Sequence, residues 1–288
     1  MSIIEKAIRR TVEAEAARAV ATVPASRPSG QTFAAMVRGK ALVDLRSESL
    51  RAAGLVVAED KARMRRNEFR SIKAPVLAAA ATHEQSNPMQ RTSVVAVLSS
   101  LPGEGKSYVS FNLASSLAME YDVATVLIDG DVARHQLSSL LGVHDRPGLS
   151  DYLSSEQVSL ADILLPTVEP SVFFIPSGKW REDVSELIAS ARMRALLEGL
   201  GQPSGRAIAV LDCPPLLVTS ESAALMKVAD QLLFVVRANH SQQKTVEDAA
   251  SKLDRGKTIH VVLNAWQPLS ISERAYYSKY QDYYGSKG

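Results

Sequence analysis

The stretch Ser100-Leu101-Pro102-Gly103-Glu104-Gly105-Lys106-Ser107 carries the residue types a chain uses to hold a row of phosphates. Backbone N–H groups of residues 103–107 can converge on one phosphate. Lys106 can reach the β and γ oxygens, and the Ser107 hydroxyl is a hard ligand suited to Mg2+. Ser100 stands where this pattern usually has glycine. A helix opening near Lys106 adds the positive end of its dipole. Three carboxylates give the second signal. VLIDGDVAR sets Asp129 and Asp131 two apart with Arg134 behind them, and AIAVLD ends at Asp212 before Cys213-Pro214-Pro215. Carboxylates at strand ends are costly unless they meet a cation or a proton. Beside a nucleotide, Asp129 and Asp131 can hold Mg2+ and orient or deprotonate an incoming hydroxyl; the competing reading is a capping pair for the next helix. Asp212 fits a Walker B carboxylate, and the two prolines after it fix the chain's exit. Asn264 offers a donor and an acceptor that match an adenine edge, or it is a turn residue after a strand. The expected nucleotide-binding set is Pro102, Gly103, Glu104, Gly105, Lys106, Ser107, Tyr108 and Asn264, and the expected metal set is Ser107, Asp131 and Asp212. Cys213 reads as a small packed residue, because no histidine partner is suggested.

These residues need strands to aim them. From residue 93 onward, near-continuous apolar runs at 93–99, 125–129, 172–176, 207–212, 231–236 and 259–264 alternate with helical patterns at about 106–120, 183–199, 220–228 and 241–254. Such alternation predicts an α/β fold, a mostly parallel sheet with helices on both faces. Ligands of such sheets bind beyond the carboxyl ends of the strands, where the residues above fall. Upstream, residues 2–20 carry Ile4, Ile8, Val12 and Ala16 at every fourth position, a helix that either packs on its own domain or docks a partner. TVPASRPSG, at 22–30, is a linker composition. Residues 59–73 form a second helix with six bases and three acids, expected to stop at Ala74–Pro75. It is either a solvated face or a surface that pairs with acids on a neighbouring subunit. The expected division is residues 1–58 as N-terminal helix and linker, 59–270 as the P-loop domain, and 271–288 as a tail.

Composition narrows the classes. Hydrophobic content of 46% and charged content of 22% are ordinary for a globular chain, and a formal charge of +2 calls for no nucleic-acid partner. One cysteine excludes a disulfide framework or a cysteine-rich cluster within one chain and points to a reducing compartment. No apolar run reaches the roughly 18–20 residues of a membrane span, and the N-terminus lacks the apolar core of a signal peptide. The tail is unusual. Tyr276, Tyr277, Tyr280, Tyr283 and Tyr284 are five of the eight tyrosines in the chain, set among small and polar residues.

The phosphate loop, then IDGD, then LDCPP, in this order and spacing, resembles the deviant-Walker P-loop ATPases. Within them LPGEGKS (101–107), VLIDGDVAR (126–134), GLSDYL (148–153), VLDCPP (210–215), VLN (262–264) and the tyrosine-rich tail resemble the bacterial tyrosine autokinases of exopolysaccharide and capsule synthesis. The resemblance covers about residues 60–288. MSIIEKAI at the N-terminus is similar to the start of the stand-alone kinases of exosortase-linked polysaccharide clusters. It implies ATP and Mg2+ as cofactors, with Lys106, Asp129, Asp131 and Asp212 as the catalytic set. It implies that Tyr276, Tyr277, Tyr280, Tyr283 and Tyr284 are phosphorylated in trans, the tail of one subunit entering its neighbour's site in a ring. The implied partners are other copies of the chain, a membrane chain-length determinant or co-polymerase as activator, and a cognate tyrosine phosphatase. The implied location is the cytoplasm at the inner face of the plasma membrane. Two departures are visible. The family's ring helix carries Glu, Arg and Arg at three-residue spacing, where this chain has Asn67, Arg70 and Lys73 with Glu68 displaced by one; and His135 follows Arg134 where relatives usually have proline. Rival readings are an ATP-binding regulator whose tail is a docking module, and a Min/Par-type positioning ATPase. The latter carries a signature lysine where Leu101 stands here.

Overall fold

The computed structural model describes residues 30–56, 59–86, 92–201 and 206–267. The expected helix at 2–20, the linker up to residue 29 and all five tail tyrosines lie outside the described residues. Short helices α1 (Gly30–Met36) and α2 (Glu48–Ala52) precede the long α3 (Glu59–Ser86). The strand–helix alternation then runs β1 (Thr92–Ser99), α4 (Lys106–Leu117), β2 (Val123–Asp129), α5 (Gln136–Leu140), α6 (Leu149–Ser154), α7 (Leu160–Ile163), β3 (Leu165–Pro166) and β4 (Val172–Ile175). It closes with α8 (Val184–Ile188), α9 (Ala191–Gly199), β5 (Arg206–Asp212), α10 (Glu221–Val228), β6 (Gln231–Arg237), α11 (Gln243–Ser251) and β7 (Thr258–Asn264).

The seven strands form one sheet in the order β3-β4-β2-β5-β1-β6-β7. Every pairing is parallel except β3 with β4. β1 is buried along its whole length, and its alternate residues serve two cores. Val94, Ala96 and Leu98 join Val126, Ile128, Ala209 and Leu211 beneath α6 to α11. Val95 and Val97 join Leu127, Ile208, Val210 and Leu233 beneath α3 and α4. This two-residue alternation, apolar on both sides, is why the strands read as unbroken Val/Ile/Leu runs. The expected parallel sheet covered on both faces is the fold observed.

Several boundaries differ from expectation. Helix α3 does not stop at Pro75 but continues eleven residues beyond it to Ser86. Proline removes one helical hydrogen bond and crowds the preceding turn. Here the ring is exposed, and Phe69, Val76 and Ala80 bury the opposite face in the second core, which holds the helix together across it. The single helix expected over 183–199 is two, because Ser190 adopts an extended ψ of 168° and starts α9 afresh. Residues 33–55 pack on the body: Phe33 is in the first core, while Val43, Leu45, Leu50 and Leu55 are in the second. Val43 also adds a parallel bridge to Thr167.

Candidate active site

The carboxyl ends of β1, β2 and β5 meet at one edge of the sheet, with Asp129 in register with Asp212 and Asp212 with Val97. From β1 the chain enters the loop 100–105 and then α4. Gly103 and Gly105 take φ of 82° and 96°, which only glycine adopts without strain. Gly105 has a second reason: a Cβ there would lie 2.0 Å from Asn264 Nδ2. Lys106 opens α4 and is almost buried; burial lowers its pKa, while Asp212 and Asp131 pull it back up. The Ser107 hydroxyl bonds to Asp212, and Ser110 Oγ donates to Asp212 Oδ1 at 3.0 Å.

The three carboxylates occupy distinct environments. Asp129 is fully buried. Its Oδ2 accepts from the Ser138 amide at 2.9 Å and the Ser138 hydroxyl at 2.7 Å, and its Oδ1 accepts from the Asp131 amide at 3.3 Å. Burial, reinforced by the nearby Asp212 carboxylate, pushes its pKa up to about 7. Asp212 is 2% exposed and burial pushes it to about 6. Asp131 is half-buried, also raised by burial, and accepts from the Arg134 amide at 3.2 Å. Asp131 therefore faces the cleft, and Asp129 stands behind it. His135, two residues before Leu137, takes φ 39°, a backbone that the fixed ring of proline could not adopt. The thiol of buried Cys213 is pushed well above its ordinary pKa by burial, as expected of a packed residue.

The phosphate loop is braced from the next two strands. Asn264, at the end of β7, donates from Nδ2 to Glu104 O at 3.0 Å. The side chain expected to read an adenine edge thus supports the loop in this structure. Arg237, at the end of β6, donates to Gly103 O at 2.9 Å. The buried Glu104 carboxylate accepts from the Leu101 amide at 2.8 Å and from the Ser241 hydroxyl. Arg237, Ser241, Ser110 and Ser138 were missed in the sequence. The strand-end rule that singled out Asn264 applies equally to Arg237; the three serines carry no spacing signal. Gly103, Gly105, Tyr108, Arg237, Asn264 and Trp266 line part of a cavity of ≈ 740 Å³ beside the loop, a size suited to a small ligand.

Among the described residues no group of three or more His, Cys, Asp or Glu side chains is placed to hold a metal. What stands at the cleft is two carboxylates, Asp131 and Asp212, with the Ser107 hydroxyl. That set suits a hard cation that takes few protein ligands and completes its shell with phosphate oxygens and water.

A parallel sheet whose first strand leads through such a loop into a buried helix defines a P-loop nucleotide-binding protein. Comparison with known proteins narrows the class. A family model described as adenylylsulphate kinase matches residues 92–196, which contain the loop and β2 but not β5 to β7. The tyrosine-protein kinase Wzc of Salmonella typhimurium is 31% identical over 68% of this chain and 26% of its own length. The VpsO kinase domain is 31% identical, with a TM-score of 0.55, over 70% of this chain and 98% of that one. The kinase domain of the Escherichia coli tyrosine kinase ETK is 26% identical, with a TM-score of 0.56, over 66% of this chain and 73% of that one. The chain belongs to the bacterial tyrosine-protein kinase family. It spans about a quarter of the length of several curated relatives it matches, between 22% and 26%. Among the described residues no helix is long and apolar enough to cross a membrane.

Proposed function

We propose that this chain is an ATP- and Mg2+-dependent protein-tyrosine kinase that phosphorylates the tail tyrosines Tyr276, Tyr277, Tyr280, Tyr283 and Tyr284 of other copies of itself. The observation that carries this reading is the convergence of Lys106, Ser107, Asp131 and Asp212 beside a braced phosphate loop. Its support from outside is the family's kinase domains.

In this reading the N–H groups of Gly103 to Ser107 and the start of α4 hold the phosphates, and Lys106 steadies the γ-phosphate. Ser107, Asp131 and Asp212 would hold Mg2+, which when bound supplies neutralising charge for the transferring phosphoryl group. Asp129 fixes the backbone of Asp131 through the amide of that residue. Together they orient the incoming tyrosine hydroxyl and take its proton, which an unperturbed phenol with a pKa near 10 holds too tightly to lose unaided. The phenolic oxygen bonds to the γ-phosphorus as the bond to the β–γ bridging oxygen breaks, leaving phosphotyrosine and ADP. Each phosphate adds about −1.5 to −2 charge to the tail. The resulting repulsion between tails loosens an assembly of copies, and we assign this cycle to control of polysaccharide chain length or export. A membrane chain-length determinant at the inner face of the membrane is the activator in this scheme, and a tyrosine phosphatase resets it.

Intact-mass spectrometry of the chain incubated with ATP and Mg2+, beside a Lys106→Met control, tests the reading. The expected result is stepwise phosphate additions that map to residues 276–284 and are absent in the control. ATP binding without any such additions, in the presence of the activator, would leave the chain an ATP-binding regulator instead.

A further inference from the structure

Away from the nucleotide site, a second cleft of ≈ 380 Å³ opens between α9 and α10. Val94, near the start of β1, lines it, so it lies toward the amino end of the sheet, opposite the phosphate loop. Its base is apolar: Val94 and Leu197 are buried, and Ala224 and Val228 are half-buried. Exposed Arg194 and Lys227 also line it, with Glu198 as the one acid. Among the described residues neither Arg194 nor Lys227 forms an ion pair. The cleft thus combines an apolar base with a net positive rim.

We propose that the apolar stripe of residues 2–20 of the same chain docks in this cleft. The charge pattern of that segment matches it. At about 100° per residue, Ile4, Ile8, Val12 and Ala16 share one helix face, and Glu5 and Glu15 lie within about 40° of its centre. The four bases, Lys6, Arg9, Arg10 and Arg18, lie about 80° or more away, and of the acids only Glu13 faces outward. A helix lowered stripe-first into the cleft brings Glu5 and Glu15 toward Arg194 and Lys227 and leaves the bases toward water. The path of the chain also fits. Phe33 of α1 sits in the first core and meets the Phe173 ring at 4.8 Å, so α1 lies on the face of the sheet that holds the cleft. Helix α1 packs on α7. A Cβ at Gly199, the last residue of α9, would lie 3.6 Å from Leu160 Cδ2 in α7. Two helix widths of about 8–10 Å each therefore separate α1 from the cleft, and residues 21–29 extend over up to about 30 Å. Of the two roles open to the segment, packing on its own domain is the one this cleft favours.

Carbodiimide joins a carboxylate to an amine in contact with it, so the full chain can be probed without substitution. The expected product is a peptide pair that links Glu5 or Glu15 to Lys227, found by mass spectrometry. In a mixture of unlabelled and heavy-isotope-labelled chains, both halves of each pair should carry the same label. Mixed pairs place the segment of one copy on another and overturn docking within the chain. Ile8→Asp puts a charge in the stripe without touching either core. It is expected to abolish the link and to speed hydrogen exchange of amides 4–16 at least about tenfold. Ala224→Glu, which sets a like charge in the cleft, should do the same from the other side. Absence of the link to Lys227 in the unsubstituted chain, or exchange over 4–16 that Ile8→Asp leaves unchanged, overturns the proposal.

Discussion

At the scale of single residues, the site is a group of carboxylates held against their preference for water. Asp129 and Asp212 ionise only at about 7 and about 6, well above the ordinary carboxylate value of 3.8, because burial disfavours the charge. A carboxyl whose folded pKa exceeds its unfolded value binds its proton more tightly in the native state. Its contribution to stability is complete below 3.8 and is lost as pH rises through about 7. Asp129→Asn should therefore gain melting temperature relative to the nucleotide-free wild type as pH is raised over this interval, measured by scanning calorimetry at a series of pH values. A difference that does not change with pH would place the titration elsewhere. The same asparagine is expected to slow tail phosphorylation at least about 100-fold, an exchange of activity for stability common at strained sites.

At the scale of elements, the phosphate loop is made rigid from outside. Arg237 and Asn264 reach it from the ends of β6 and β7, and the missing Cβ of Gly105 is what lets Asn264 in. Gly105→Ala adds a methyl group 2.0 Å from Asn264 Nδ2 at a φ of 96°. It is expected to cut ATP affinity at least about 100-fold while the circular dichroism spectrum is retained, and Asn264→Ala in the same chain should restore part of the loss by removing the overlap but not the backbone strain. Three lysines close helix ends in the same economical way. Lys257 donates to carbonyls at the end of α10, Lys40 to carbonyls at the end of α7, and Lys73 to Ser116 O at 3.1 Å near the end of α4. Lys73 also pairs with Glu120 at 2.6 Å. Lys73, the last of the three positions the resemblance compares with a ring helix, is thus turned into this chain's own body, while Asn67 and Arg70 are exposed on α3. Helix α3 also tolerates Pro75 on its exposed face. Pro75→Ala should raise stability by about 1–3 kcal/mol in urea unfolding, since it restores a helical hydrogen bond without touching the core.

At the scale of the molecule, the site and the strand that leads to the tail share one edge of the sheet. Phosphorylation between copies predicts a distinctive rate law. The initial rate of tail labelling per chain should rise in proportion to chain concentration, and a Lys106→Met chain should be labelled when mixed with wild type. A rate per chain independent of dilution would show that each tail enters its own site. What was legible in the sequence follows the same division between short and long range. The six longer strands declared themselves because each holds a short run of Val, Ile, Leu, Phe or Ala, whereas β3, of two residues, and α5 to α7, of four to six, are too short to show a period. The end of α3 differs from the local signal because proline chemistry is outweighed by packing against the second core. Lys106, Ser107, Asp129, Asp131 and Asp212 could be picked out because a phosphate loop and strand-end carboxylates are local patterns, set by the spacing of residue types along a few turns of chain. That Asp129 stands behind Asp131, that Asn264 braces the loop, that Arg237 and Ser241 hold it from the far strands, and that Lys73 points inward were decided only by tertiary structure. Each of these depends on which strands lie side by side and on which side chains lose their water, and neither is encoded in the spacing of neighbouring residues.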